Sequence, residues 1–250
     1  MFDNSFEIGK MYLKQNLTYD TSFFGKCVII VRYLITTGHT DEEIREIIEE
    51  KTKNIYKDYN KKYSEAEVNT ILKVGFAKGV LPERVEICFS KEELEEIRSV
   101  DNKNTEKILF VLMCLSKVNK GEPFSFQRKD LLKAAGVSNN SGYYDKLMYE
   151  IVGKRGYFKS NVYKNKLSYS ATEKTLDLFN EDNIVLRITN YNNIVYYYLD
   201  YIGDGKFFIC PECGSIDKKT SNNKKICSAC SKENRVSYQS KYYEKRKENR

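Results

Sequence analysis

Histidine is nearly absent from this chain. His39 is the single one among 250 residues, and it lies between Gly38 and Thr40, where it reads as a turn residue. A Ser–His–Asp or Cys–His catalytic group would rest on that residue alone. Rolling-circle initiators and relaxases hold their metal with paired histidines, so the twenty tyrosines do not point to that chemistry. No Asp-x-Asp pair occurs, which removes the usual carboxylate arrangement of a primase or polymerase. The phosphate-binding loop G-x₄-G-K-[ST] is missing as well. Scattered acids such as Asp200 and Asp204 are a thin basis for a two-metal nuclease, and the chain reads as a non-enzyme.

Long apolar runs are also lacking. A stretch of about 18 apolar residues, the length that crosses a bilayer, does not occur, so no membrane partner is expected. The first residues, MFDNSFEIGK, have no basic start followed by an apolar stretch, so no signal peptide is expected and a cytoplasmic location is. Cysteines number seven, few for a secreted disulfide scaffold. Cys27, Cys88 and Cys114 stand alone in apolar surroundings and read as reduced core thiols.

The other four cysteines form a pattern. Cys210-Pro-Glu-Cys213-Gly is followed, after an intervening polar stretch, by Cys227-Ser-Ala-Cys230. The C-x₂-C spacing lets both thiolates of a pair reach one ion from a tight knuckle, and Zn²⁺ takes four sulfurs tetrahedrally. Pro211 stiffens the first knuckle, and Gly214 has the freedom to turn the backbone away. KFFI and Ile226 are expected to form strands leading into the two knuckles, with KKTSNNKK as a hairpin tip, the arrangement of a zinc ribbon. Four Cys ligands close the coordination sphere, so one structural Zn²⁺ is expected, without an open position for a substrate.

Charge is distributed in blocks. Residues 105–170 carry twelve basic and five acidic side chains, and residues 206–250 carry the same numbers, net +7 each. The rest of the chain is net acidic. Basic blocks of this kind attract phosphate backbones, although a Lys-rich solvated surface has the same composition.

The element pattern is α+β. Thr40/Glu43, Ser64/Glu67 and Ser90/Glu93 fit capping boxes and mark helix starts. They place a helical domain over 1–100. Over 105–170, a helix capped by Thr105 carries Ile108, Leu109, Leu112, Leu115 and Val118 on one face. Then come a short extended FSF, a helix over QRKDLLKAAG, a VSNNS turn, a helix over GYYDKLMYEIVGKRG and a hairpin over YFKSNVYKNKLSYS. That order is a winged helix-turn-helix. It directs Asn139, Asn140, Ser141, Tyr143 and Lys146 toward double-stranded DNA. Lys154, Arg155, Lys159, Lys164 and Lys166 would contact phosphates. Over 171–205 a short helix precedes an expected antiparallel hairpin, IVLRIT and IVYYYLDYI joined by NYNN. The zinc ribbon occupies 206–231. A basic tail at 232–250, with Lys241, Lys245 and Arg246, can lie along phosphates while its tyrosines stack on bases.

Two resemblances rest on these segments. RYLITTGHTDEEIREIIEE followed by YSEAEVNTILKVGFAKG resembles the helical module at the C-terminus of some primases and primase–helicases of phages and plasmids. FSKEELEEIRSV running into TEKILFVLMCLSKV, then ITNYNNIVYYYLD, then CPECG and CSAC, is similar to proteins of phages and other mobile elements. Those proteins combine a helical N-terminus, a winged helix and a C-terminal Cys₄ zinc ribbon. The group has few assigned activities; it is the winged helix and the basic blocks that give the expected function, a non-catalytic DNA-binding protein acting in replication initiation or transcription control. A replisome adaptor, or an inhibitor of a host or defence protein, is the alternative. Neither reading involves a small-molecule substrate.

Overall fold

The computed structural model describes residues 2–15, 17, 19–59, 61–82, 85–139, 141–163, 166–179, 182–232 and 235, with backbone only at 141, 142, 163 and 166. It is an α+β chain that divides into two compact units, Asp3–Glu83 with Ile209–Gly214 and Asn223–Arg250, and Arg84–Phe208 with Met1–Phe2 and Ser215–Asn222. No helix among the described residues is long and apolar enough to cross a membrane.

The first unit is built on four helices: α1 (Ser5–Lys14), α2 (Phe23–Thr36), α3 (Asp41–Asp58) and α4 (Glu65–Lys78). Thr40 makes the full reciprocal box with Glu43, and Asp41, Glu42 and Glu43 face the positive end of the α3 dipole. At α4 only half of the expected box forms. Ser64 accepts from the Glu67 N–H, but the Glu67 carboxylate accepts from the Tyr56 hydroxyl instead. Burial, and then that carboxylate, raise the Tyr56 phenol above its ordinary range. Ile30, Val31, Leu34, Ile44, Ile48, Val68 and Ile71 fill the core. Glycine sets two helix approaches. A Cβ at Gly75 would lie 2.4 Å from Val31 Cγ1, and one at Gly9 would lie 2.6 Å from Tyr33 Cβ. Lys51 closes the end of α1, donating to the carbonyls of Leu13 at 2.9 Å and Gln15 at 2.8 Å. Burial lowers the pKa of that ammonium.

The second unit begins with strand β1 (Ile87–Ser90) and α5 (Lys91–Arg98), where Ser90 and Glu93 form a complete capping box. Residues 84–100, read above with the N-terminal helices, therefore group with the later chain. Helix α6 (Lys103–Val118) starts two residues before the expected cap. Asn102, whose Oδ1 accepts from the N–H groups of Asn104 and Thr105, takes the role assigned to Thr105. Thr105 is buried, as is every residue from Ile108 to Ser116. A helix apolar on all sides is a central element, not a half-exposed one.

Around α6 lie α7 (Arg128–Ala134) and α8 (Ser141–Met148), which runs on into a π-helical segment (Tyr149–Lys154). Next come β2 (Phe158–Tyr163) and β3 (Lys166–Ala171), paired antiparallel from Phe158↔Ala171 to Tyr163↔Lys166. Phe124 adds an antiparallel bridge to Tyr169 on β3. The short α9 (Glu173–Leu178) follows, then β4 (Ile184–Ile188).

The hairpin expected over IVLRIT and IVYYYLDYI does not form. Strand β4 pairs with the distant β1, Ile87 opposite Ile188 and Phe89 opposite Leu186. Val195–Tyr201 is a helix, α10. The run IVYYYL is rich in strand-forming residues, but packing overrides that preference. As a helix it buries Val195 and Tyr198 together, and the Tyr198 ring stacks on Phe110 of α6 at 4.9 Å. Phe110 in turn stacks on Phe89 at 5.0 Å. Asn193, with φ of 55°, makes the turn into α10.

Strands β5 (Phe207–Ile209) and β6 (Ile216–Lys218) form the last two-stranded sheet. They flank the first cysteine pair. Ile226 is not in a strand, and residues 228–232 are helical. The second pair thus opens a helical turn, where a ribbon would have a strand. Cys227 sits where a helix cap belongs, its Sγ accepting from the Cys230 N–H and its carbonyl from Ser231 N–H.

Candidate metal centre and nucleic-acid interface

The four cysteines of the C-x₂-C pairs come together. Their Sγ atoms all lie within 4.8 Å of one another, and all four are buried. Cys213 and Cys227 are 3.6 Å apart at sulfur, far beyond a disulfide bond of about 2.05 Å. A tetrahedron with metal–sulfur bonds of about 2.3 Å has edges of about 3.8 Å, so the cluster has the size that one tetrahedral ion requires. The turn at Gly214, φ 69°, lets its N–H return to the Cys210 carbonyl at 2.8 Å.

Backbone donors are aimed at the sulfurs. The Cys227 N–H reaches Cys210 Sγ at 3.3 Å, and the Cys230 N–H reaches Cys227 Sγ at 3.4 Å. Burial acts to raise the Cys210 thiol, but N–H donation from Cys227, Cys213 and Glu212 outweighs it and holds the pKa below the ordinary thiol value. Burial, with Cys227 and Cys213 beside it, pushes the Cys230 thiol up. Thiolates are the metal-binding form, and N–H donors stabilise them. The site's apolar cover is small, with Met11 and Ile226 partly buried against the sulfurs. These residues are able to hold one metal ion.

The isolated cysteines divide. Cys27 and Cys114 are buried, and desolvation raises the Cys27 thiol to about 12 and Cys114 well above normal, so both are inert core groups. Cys88 corrects the sequence expectation. It is part-exposed on β1, with its Sγ 3.5 Å from the Glu86 carboxylate and 3.4 Å from Arg187 Nη1. The apolar faces of this strand are Ile87 and Phe89, which alternation turns away from Cys88.

The residues expected at a nucleic-acid surface are scattered in role. Asn139 is exposed just before α8, Lys146 is exposed on it, and Lys159 is exposed on β2. Tyr143 is tied down: its hydroxyl meets the side-chain amides of Asn102 at 3.1 Å and Asn104 at 3.3 Å. Those two contacts, Asn104 first, lower its pKa. Lys154 pairs with Glu150 at 3.3 Å, and Arg155 donates to the same Glu150 oxygen at 3.1 Å. Arg155 also lies 3.8 Å from Asp101. Both cations are therefore largely answered within the chain. For Ser141 and Lys166 only the backbone is described, and Asn140, Lys164, Lys241, Lys245 and Arg246 lie outside the described residues.

Three further residues that the sequence reading did not single out are exposed on the same elements: Lys129 and Lys133, one turn apart on α7, and Tyr149. Tyr149 is 69% exposed. Its signal was periodicity: Leu147, Met148 and Ile151 face inward, so 145, 149 and 153 face outward.

The chain is thus an α+β protein with a buried four-cysteine cluster able to take a metal and with exposed lysines on α7, α8 and β2. Comparison with family models, with curated proteins and with solved structures finds no match to this chain.

Proposed function

We propose that this is a non-catalytic DNA-binding protein of a phage or mobile element, acting in replication initiation or transcription control from the cytoplasm. The reading rests on one observation. Helices α6, α7 and α8 are followed by the hairpin β2–β3, with Phe124 bridging to its second strand. A winged helix-turn-helix has this order, and it places its last helix in the major groove with the hairpin along the backbone. Lys129, Lys133, Lys146 and Lys159 are exposed on these elements. The metal in this reading is Zn²⁺, because four thiolates suit a borderline-soft ion and leave no position for water. It stabilises the C-terminal fold and takes no part in chemistry.

The test is a titration of duplex DNA at two salt concentrations with the zinc-loaded chain. Four lysine–phosphate contacts give a slope of log K against log salt of about −3.6. Absence of binding at low salt removes the reading.

A specific observation favours the alternative, docking to a host or replisome protein. Val162 and Leu167 are opposed across the hairpin and both are exposed, 74% and 48%. With Lys154 and Arg155 already paired, that end of the surface is less basic than its composition suggests. A partner that stays stoichiometric after nuclease treatment, and that Val162→Lys releases, supports docking.

A further inference from the structure

The outward stripe of the helix that continues from α8 through its π-helical segment carries Asp145, Lys146, Tyr149 and Gly153. Tyr149 is one of the most exposed large side chains of the described chain, at 69%. Its ring has a defined seat. A Cβ built at Gly153 would lie 2.9 Å from both Cδ2 and Cε2 of Tyr149, so the ring lies over backbone that only glycine leaves bare. The chain accepts glycine inside a helix here, at a cost of about 1 kcal/mol against alanine. The segment is also π-helical, a local geometry found often at functional sites.

The neighbouring tyrosine behaves oppositely. Tyr143 is held by Asn102 and Asn104 at the start of α6, so its hydroxyl is occupied by the fold. Tyr149 is presented, and Lys146 stands exposed one turn before it. Lys146 on this helix and Lys129 and Lys133 on α7 are exposed, and side chains of that charge favour a polyanionic occupant.

We infer that Tyr149, seated on Gly153, is the residue of this helix that contacts base edges in the major groove of duplex DNA, with Lys146 beside it on a phosphate. The inference rests on the DNA-binding reading above. It assigns two kinds of contact to two residues. The tyrosine ring makes an uncharged contact, of the kind apolar groups make with thymine methyls. The lysine releases a counterion.

The experiment uses the full zinc-loaded chain and a duplex enriched from a random-sequence pool by the wild-type protein. Tyr149→Ala should weaken binding about tenfold at both of two salt concentrations, with the salt slope unchanged. Lys146→Ala should reduce the slope by about 0.9. Gly153→Ala should reproduce the Tyr149→Ala loss by displacing the ring, while its thermal stability is equal to or above wild type. Tyr149→Phe should bind within about twofold of wild type, because the ring remains. If the wild type enriches no duplex and binds none at low salt, the DNA-binding reading itself fails. If the wild type binds and Tyr149→Ala or Gly153→Ala binds equally well, the assignment of Tyr149 alone is overturned. A protein partner lost with Tyr149→Ala, with DNA affinity unchanged, overturns it too.

Discussion

Two regions of this chain are held together by different physics. Around α6, order comes from area: Ile108 through Ser116 are buried without a break, and Phe89, Phe110 and Tyr198 stack in series. Around the C-x₂-C pairs, order comes from four atoms. The cysteines are nearly the whole core, with Met11 and Ile226 as partial cover. The first region tolerates the loss of any one contact at a bounded cost. The second buries too little surface to offset the entropy of ordering its loops, so under the proposed reading it depends on a bound metal.

The largest effect should come from breaking the four-cysteine cluster, the proposed zinc site. Cys227→Ser removes one ligand and also the sulfur that accepts the Cys230 N–H. Structural zinc contributes roughly 10–16 kcal/mol of apparent binding in small domains, much of it folding energy. We expect loss of bound zinc by elemental analysis and loss of hydrogen-exchange protection over 206–230, with protection of α6 retained. A mutant that keeps one equivalent of zinc breaks the comparison, since the ligands would then be others.

Phe110→Ala is the matching injury to the α6 core. The ring is fully buried between Phe89 and Tyr198, and its removal should cost about 3–5 kcal/mol in urea unfolding, with zinc content unchanged.

A buried ion pair sharpens the contrast. Glu93 is 0% exposed and lies 2.5 Å from Lys117, whose ammonium also sits over the rings of Phe89 and Phe179. Lys117→Ala leaves the carboxylate unpaired and should destabilise by about 3–5 kcal/mol near neutral pH. Burial raises the Glu93 pKa above its ordinary value of 4.5, against the opposing help of Lys117 and Ser90. A raised carboxylate binds more protons folded than unfolded, so its contribution is fully present below the unfolded pKa and is lost as pH rises through the folded one. The difference in urea midpoint between wild type and Glu93→Gln should therefore change across the range just above pH 4.5. A difference that stays flat with pH would remove that assignment.

The smallest effect expected is at a helix start. Ser90→Ala loses the hydroxyl that accepts from the Glu93 N–H at 3.2 Å, at a cost of about 1 kcal/mol. Thr40→Ala, at an exposed box, should fall at or below that figure in the same assay.

Legibility followed the range of the forces involved. Two of the three capping boxes form in full, because hydroxyl and carboxylate are three residues apart and need no partner from elsewhere. The third was half formed because Tyr56, eleven residues away, competes for Glu67. The cysteine cluster was readable from spacing, since each pair is local. The form of its support was not, because whether Ile226 leads a strand or Ser228 starts a helical turn depends on backbone donors to Cys227. At the proposed DNA surface, charge counting named Lys154 and Arg155 but missed that Glu150 answers both.

What the amino-acid order determined by itself is therefore local: helix starts, the hairpin β2–β3 with its alternating faces, and four thiols spaced for one ion. What tertiary structure alone decided is non-local. It joined β1 to β4 across most of the second unit, and it made a helix of the strand-prone IVYYYL so that Tyr198 could stack on Phe110. It also occupied Tyr143 while leaving Tyr149 outside. The physical reason is that burial and pairing are settled by whichever partner arrives in space, and sequence separation carries no record of that partner.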